Sequence, residues 1–339
     1  MAKMKALGLK QTAQKLVPGL YGYVKRRYWN RLIREHRQMN RQEIEAELCH
    51  LYSDRMGRKL NLDNPMRYTE KIQWCKLHAM DETKSLLADK YAVRGWVAKR
   101  IGEEYLIPSL GVWESADKID FDTLPDSFVL KTNNASGTNI IVADKAKLNV
   151  RQARKKLRRW LEFDCGLVFF ESQYLRIKPL VIAEKFMTNP DGSEINDFKF
   201  TCFNGKAKFL RIDCDRHGEK HTRCMFDLDW NRLPFMEGRY DWPKDLPDKP
   251  ERFDELVVLV EKLAAGFACV RVDFYVIDGR FYFGEMTFSS GGGYERIIPD
   301  EYDEILGGGG TFPWNHTRNL VGIEVHLPNV RFRWQSLAA

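Results

Sequence analysis

Residues 270–293, VRVDFYVIDGRFYFGEMTFSSGGG, constrain the fold more than any other stretch of the chain. Two runs rich in Val, Phe, Tyr and Ile flank Asp278-Gly279, and a glycine that tolerates positive φ between such runs defines a β-hairpin. On those strands stand Arg271, Asp273, Glu285 and Thr287, which a strand packed only on a core does not need. Register decides what they make. A two-residue turn at Asp278-Gly279 pairs Ile277 with Arg280 and puts Asp273 and Glu285 on opposite faces. A three-residue loop, Ile277 to Gly279 with Gly279 as the left-handed bulge residue, pairs Val276 with Arg280. That register sets Asp273 against Phe283 and Arg271 against Glu285, and it is the one expected here because all four polar side chains then share a face. Two carboxylates and a guanidinium on one face are costly to desolvate, and Mg²⁺ bound to substrate phosphates is one way to compensate them. A solvated sheet face with an Arg–Glu cross-strand pair is the other.

A second hairpin lies at residues 196–212, NDFKFTCFNGKAKFLRI, where two alternating strands meet at Asn204-Gly205, the signature of a type I′ turn. Alternation puts Asp197, Lys199 and Thr201 on one face and Phe198, Phe200 and Cys202 on the other. Upstream, Phe128 to Lys131 reads as a strand, followed by a polar loop containing Ser136-Gly137 and a strand at Ile140 to Val142. A Lys ending an apolar strand before a loop with many backbone amides suits a cover for nucleotide phosphates, though an ordinary polar hairpin loop has the same composition. No G-x-x-x-x-G-K-[ST] and no G-x-G-x-x-G before a helix occurs. Leu180 to Met187 is a buried strand turning polar, against which a purine fits, held by backbone groups near Lys185, Phe186 and Met187.

Helical patterns cover 41–80, with breaks at Gly57 and Asn64-Pro65, and 81–101, read as one helix with Leu86, Val93 and Val97 on its apolar stripe and Lys90 among them. Further amphipathic helices span 149–164, with a strongly basic outer face assigned to solvent, and 252–267. Beyond Gly293 come a short acidic helix near 300–305 and Gly307 to Gly310, whose bare backbone permits close ligand approach or motion. The tail from Trp314 reads as loop with an edge strand.

At 339 residues and 44% hydrophobic content the chain can bury a large core and divides into two or three lobes. No run of about 18 apolar residues and no apolar block of a secretion signal is present, so a cytoplasmic protein is expected. Seven cysteines without a C-x-x-C read as reduced, mostly buried thiols. Net charge is +7, yet residues 1–41 hold eleven Lys or Arg against Glu35 alone, a surplus of +10 that leaves the remainder at −3. There Lys25, Arg26, Arg27, Arg31, Arg34 and Arg37 alternate with Tyr21, Tyr23, Tyr28, Trp29, Leu32 and Ile33. This suits a helix on an anionic inner-membrane surface, and equally a solvated basic helix whose aromatics pack on the body. Nucleic acid is not expected as a partner, because no recognised motif for it follows.

In order along the chain, Lys90, Lys131, Ser136-Gly137, Glu184-Lys185-Phe186, Asp197-Phe198-Lys199, Arg271-Val272-Asp273 and Glu285-Met286-Thr287 resemble the motif series of the ATP-grasp superfamily. The wording ADKYAVRGWV, LPDSFVLKTNN, DFKFTCFNGK, FDLDWN and GEMTFSSGGG is similar to its TupA-like, teichuronopeptide-biosynthesis branch, over roughly residues 45–310. The resemblance implies an α+β fold: two α+β lobes clasping ATP, with an added basic helical segment at residues 1–45 and a helical region at 46–106. A small lobe at 107–187 and a large lobe with the metal site at 188–339 complete the expected division. It implies nucleotide contacts from Lys90, Lys131, Ser136, Gly137, Glu184, Lys185, Phe186, Met187 and Asp197, and Mg²⁺ at Asp273, Glu285 and Thr287. Thr287 stands where many members of the superfamily have Asn, a weaker oxygen for a second metal ion. Arg271, Lys199 and Arg223 are the expected catalytic side chains.

The implied reaction is ATP-dependent amide formation through an acyl phosphate, on a uronic acid of a surface polysaccharide or its lipid-linked precursor, with an amino acid or other amine. Arg211, Lys220 and Arg223 are candidates to hold the acidic sugar. Two other classes fit parts of the sequence. Asp213-Cys214-Asp215 and Asp227-Leu228-Asp229 are D-x-D patterns of the kind a glycosyltransferase uses for a metal and a nucleotide sugar. A non-catalytic membrane adaptor keeping the same fold is the third reading.

Overall fold

The computed structural model describes residues 18–193, 195–215 and 221–309. Lys220, Gly310, the tail from Trp314 and the first part of the basic segment lie outside the described residues, as do the side chains of Tyr21, Tyr23 and Lys25. Helix α1 (Pro18–Gln38) is followed by α2 (Arg41–Met56), started by a capping box between Asn40 and Glu43 and ended by Gly57 at φ 76°. Helix α3 (Tyr68–His78) comes next. The helix expected over 81–101 is two: α4 (Glu82–Ala88) and α5 (Val93–Ile101). The cause is Asp89, whose Oδ1 accepts from the backbone amides of Tyr91 (2.8 Å) and Ala92 (3.2 Å), a local bond that competes with helix continuation. The break removes Lys90 from the apolar stripe and leaves Leu86 exposed, while Leu87 takes the buried position.

Two antiparallel sheets follow. The first has strand order β1-β4-β2-β3, from β1 (Ser109–Trp113), β2 (Phe128–Thr132), β3 (Asn139–Val142) and β4 (Val181–Lys185). Helix α6 (Val150–Leu161) covers it, with Ala153 and Leu157 packed against Phe128, Leu130, Val181 and Ala183, and α7 (Cys165–Phe169) follows. The second sheet has order β10-β9-β5-β6-β7, from β5 (Asp197–Phe203), β6 (Lys206–Cys214), β7 (Thr222–Phe226), β9 (Cys269–Ile277) and β10 (Arg280–Thr287). Helix α8 (Phe253–Ala264) lies on its apolar face, where Phe200, Leu210, Val272 and Phe274 join Leu256, Val260 and Leu263 in one core. A two-stranded ribbon pairs β8 (Met236–Glu237) with β11 (Ile297–Ile298), and α9 (Glu301–Glu304) ends the described chain together with the wide turn over Ile305–Gly309.

The β5–β6 hairpin turns at Asn204 (φ 51°) and Gly205 (φ 75°), as a type I′ turn requires. The β9–β10 hairpin corrects the expected register. Its loop is the two-residue turn Asp278 (φ 50°) and Gly279 (φ 67°), with Ile277 opposite Arg280. Left alone, that register separates Asp273 from Glu285. Instead a bulge at Gly284 inserts one residue after the Phe283–Phe274 pair, so that Glu285 lies opposite Asp273 and Thr287 opposite Arg271. Parity is restored by the bulge rather than by the loop, and a Cβ at Gly284 would come within 3.1 Å of the Asp273 carbonyl.

The described cysteines are all free thiols, with Cys165, Cys202 and Cys224 buried. No helix among the described residues is long and apolar enough to cross a membrane. The glycine run beginning at Gly307 serves close approach, but to the chain itself. A Cβ at Gly307 would stand 1.9 Å from the Met66 carbonyl oxygen. Gly307→Ala is therefore expected to lower stability by about 2–3 kcal/mol through overpacking, read as a drop in the urea midpoint; an unchanged midpoint means the contact does not hold the segment.

Candidate functional site

Across the second sheet the pleat puts one wholly apolar face under α8, while the opposite face gathers the charges and, toward Phe203, Phe209 and Met225, packs a second apolar cluster with Tyr68 and Ile72 of α3. One transverse row on the charged face is Glu285, Asp273, Lys199 and Arg211, on β10, β9, β5 and β6 in turn. A neighbouring row holds Thr287, Arg271 and Thr201, and the one beyond Asp273 holds Tyr275, Asp197, Asp213 and Arg223. The expected alternation of Asp197, Lys199 and Thr201 is present, and their partners come from the strands on either side.

Arg271 is the hub. Its Nε donates to Asp273 Oδ1 at 2.7 Å and its Nη2 to Asp273 Oδ2 and to Glu285 Oε1, each at 2.8 Å. Nη1 reaches Ser290 Oγ at 3.2 Å. Burial works against the charge on this guanidinium, but Asp273 and Glu285 outweigh it and hold its pKa well above the usual arginine value. Lys199, also buried, binds Asp273 Oδ2 at 2.7 Å and Asp197. Lys90 reaches the same centre from the α4–α5 turn. Its Nζ donates to the Ala135 carbonyl at 2.7 Å and lies 3.7 Å from Glu285 Oε2.

The first sheet carries a second set. Lys131 Nζ is 2.5 Å from Glu184 Oε2, and Arg94 Nη1 is 3.4 Å from Glu184 Oε1. Glu184 is thus a buried carboxylate between two cations, and Lys185 is exposed beside it with its amide already donating to the Pro108 carbonyl. That bond takes one of the backbone groups expected to face a purine; Phe186 and Met187 follow directly beyond the strand end. The polar loop after β2 is anchored at its base. Thr132 and Thr138 share a hydroxyl bond of 2.8 Å, and fully buried Asn133 donates to Asp89 Oδ1 and the Lys178 carbonyl and accepts from the Leu180 amide. Only its tip, Ser136 and Gly137 (φ 72°), is exposed.

Arg211 and Arg223 form a separate buried network, which corrects their reading as an open cradle for an acidic sugar. Arg211 Nη1 binds Glu237 Oε2 at 2.6 Å and Glu295 Oε2 at 3.1 Å. Arg223 binds Asp213 Oδ1 at 2.7 Å and Glu295 Oε1 at 2.5 Å, and its guanidinium lies 3.9 Å over the Tyr240 ring. An acidic ligand arriving there meets guanidiniums already paired with carboxylates, although buried Arg211 Nε has no hydrogen-bond partner among the described residues. Arg223 is thereby set apart from Arg271 and Lys199, its expected catalytic companions, on the far strands of the sheet. In each D-x-D pattern the first carboxylate is engaged, since Asp213 faces the arginines and Asp227 accepts from the Asn231 amide (2.8 Å) and side chain (3.0 Å), while Asp229 is exposed.

Sequence reasoning missed the surroundings of the Ser289–Gly293 loop. From α3, Gln73 donates to the Gly292 and Gly293 carbonyls at 3.1 and 2.9 Å, and Lys76 donates to those of Gly292 and Phe169. Ser289 donates to Glu171 and accepts from Gln173 at 2.9 Å. Burial lowers the Lys76 pKa to about 8 and raises that of Glu171. The one local signal was the polar Ser-Ser-Gly-Gly-Gly run itself.

Asp273, Glu285 and Thr287 offer hard oxygen donors on one face, the set that Mg²⁺ takes, and Glu285 is only half-buried. Among the described residues no group of three or more His, Cys, Asp or Glu side chains is arranged to hold a metal. The donor set is thus two carboxylates and a hydroxyl, and both Asp273 oxygens are engaged by Arg271 and Lys199.

The family model described as TupA-like ATPgrasp matches residues 70–309. The chain belongs to the TupA-like ATP-grasp family, and the two sheets with their covering helices described above are its α+β ATP-grasp fold. No curated protein matches the chain significantly. Among solved structures it is similar to the D-alanine–D-alanine ligase of Bacillus anthracis complexed with ATP, at 18% identity and TM-score 0.34, covering 60% of this chain and 54% of that one. It is also similar to the L-amino acid ligase of Bacillus licheniformis, at 15% identity and TM-score 0.42, covering 69% and 50%. The chain thus spans about half the length of these solved proteins.

Asp213 supplies a pH test. Burial pushes its pKa up, but Arg211, Arg223 and Lys199 outweigh that and hold it well below its ordinary 3.8. A depressed folded pKa contributes stability that is present above the ordinary value and lost as pH falls below it. Asp213→Asn is expected to cost about 3–5 kcal/mol at neutral pH by leaving buried guanidiniums short of a carboxylate. The gap to the unaltered chain narrows below about pH 4; denaturant titrations at both pH values measure it, and a constant gap contradicts the ion network.

Proposed function

We propose that this chain is an ATP-dependent carboxylate–amine ligase working through an acyl phosphate. Its acid substrate is a uronic acid of a surface polysaccharide or of the lipid-linked precursor, and its nucleophile an amino acid or other amine. The observation that carries the reading is the hub itself. Arg271, Asp273 and Glu285 are cross-linked on one face of the hairpin, with Lys199 and Lys90 joined to the same two carboxylates.

The chemical difficulty is charge. A carboxylate oxygen attacks the γ-phosphorus while the bond to ADP breaks, so an anion must approach a polyanion. Arg271 is held charged and oriented by Asp273 through Nε and Nη2, which leaves Nη1 directed at Ser290. Lys131 and Lys90 stand at either side of the anchored loop, where phosphates displace their present partners Glu184 and Ala135. Asp273 and Glu285, with Thr287 beside them, would hold Mg²⁺, which would supply charge neutralisation at the transferred phosphoryl group. In the second step the amine nitrogen attacks the acyl carbon, phosphate leaves, and the amine proton passes to a base. The family's acid–amine chemistry and the uronic-acid expectation supply the substrate class.

Thermal unfolding with Mg-ATP and with UDP-sugars separates this reading from a nucleotide-sugar transferase, because only the bound nucleotide raises the midpoint. An ADP-release screen of uronic acids crossed with amino acids, with product mass, identifies the pair. Arg271→Lys is expected to cut turnover about a hundredfold or more while keeping the Mg-ATP stabilisation. Turnover near the unaltered rate removes Arg271 from the mechanism, and ATP binding without ADP release under every acceptor favours an adaptor.

A further inference from the structure

Helix α6 carries six cations and no acid. Two have partners on the chain: Arg154 donates to the Ile119 carbonyl at 2.9 Å, and Arg158 pairs at the surface with Asp117. Arg151, Lys155, Lys156 and Arg159 are exposed. Residues 151, 155 and 159 follow one another at i, i+4, so like charges stack along a single stripe and destabilise the helix that bears them. Nothing in the core demands this, since Ala153 and Leu157 make the packing contacts.

Helix α1 lies against the same end of the lobe. Trp29 packs edge-on against Phe163 and Phe169, His36 stacks on Phe170, and Arg37 is 3.6 Å from Asp164. A cleft of about 530 Å³ lined by Arg34 and Arg37 of α1 and by Glu162, one residue past α6, joins the two surfaces. On α1 the exposed cations are interspersed with Val24 and Tyr28, which are 56% and 57% exposed. The aromatics Trp29 and His36 are the ones that pack on the body, so the sequence's two readings of this helix divide between its two sides.

We infer that the outward faces of α1 and α6 form one docking surface for an anionic lipid bilayer. Charge complementarity selects the partner class, and the exposed Val24 and Tyr28 select a bilayer over a soluble polyanion, because an interfacial helix places aliphatic and aromatic side chains among its cations. The consequence is specific to this fold. Helix α6 is packed on the sheet that carries Lys131, so docking through it holds the nucleotide-side lobe at the membrane.

Full-length protein is sedimented with vesicles of phosphatidylcholine alone and of equal parts phosphatidylcholine and phosphatidylglycerol. Salt is set at about 0.01 M and about 1 M, where the screening length is about 30 and 3 Å. Binding is expected only to the mixed vesicles and to fall at least tenfold at high salt. One chain carrying Lys155→Gln, Lys156→Gln and Arg159→Gln is expected to bind about a hundredfold more weakly, the loss of three cations near the lipid surface. Its thermal midpoint stays at or above that of the unaltered chain because repulsion along α6 is relieved, while Lys155→Arg with Lys156→Arg binds as before. Equal binding to neutral vesicles, undiminished binding by the triple variant, or capture of soluble polygalacturonate without vesicle binding each overturns the proposal.

Discussion

Burying Arg271 with Asp273 and Glu285 is the constraint on which the second sheet depends. Desolvated charges stabilise a fold only when each finds a partner in good geometry, and a buried ion network of this size is a poor source of stability compared with apolar packing. The chain meets that demand by gathering opposite charges on one region of a sheet face, beside the Phe203–Phe209–Met225 cluster, and giving the opposite face to α8 and its aliphatic ridge. Everything rests on parity. A single-residue slip in β10 carries Glu285 to the apolar side, where no cation waits, and the Gly284 bulge is the feature that prevents it.

The first sheet solves a related problem at its own end. Lys131 and Arg94 are both neutralised by Glu184, so these cations are held by an internal carboxylate rather than by solvent. Asn133 completes the arrangement by tying the loop base to the α4–α5 turn and to the entry of β4. Lys90 then spans the gap, touching the loop through Ala135 and the second sheet through Glu285. The two lobes are linked there by polar contacts, which a charged ligand can exchange for its own at little cost.

What the sequence made legible was local. Alternation placed Asp197, Lys199 and Thr201 together, and Asn204-Gly205 and Asp278-Gly279 marked their turns, because side-chain period and positive φ are properties of a few neighbouring residues. The β10 bulge was not legible, since Gly284 in a strand reads equally as a bulge or as plain loss of side chain. Nor was the break at Asp89, where one side-chain bond outweighs a helical pattern that runs on to Ile101. The partners of Arg211 and Arg223 were hidden for a different reason. Glu237 and Glu295 come from separate segments, brought in by the β8–β11 ribbon, so two arginines that look available in sequence are satisfied in space.

The ends of the described fold are stitched to each other. Arg58 and Arg67 bind Asp300, Thr69 binds the fully buried Asp303 through both amide and hydroxyl, and the Tyr52 hydroxyl continues the chain at 2.8 Å. Thr69 and Asp303 are 234 residues apart. During synthesis α3, with Gln73 and Lys76, therefore waits for residue 303 to leave the ribosome before its polar groups are sealed. A polypeptide that stops short of Asp303 leaves the Thr69 amide and hydroxyl without their carboxylate, so α3 is pinned beside the glycine-rich loop only once both distant segments exist.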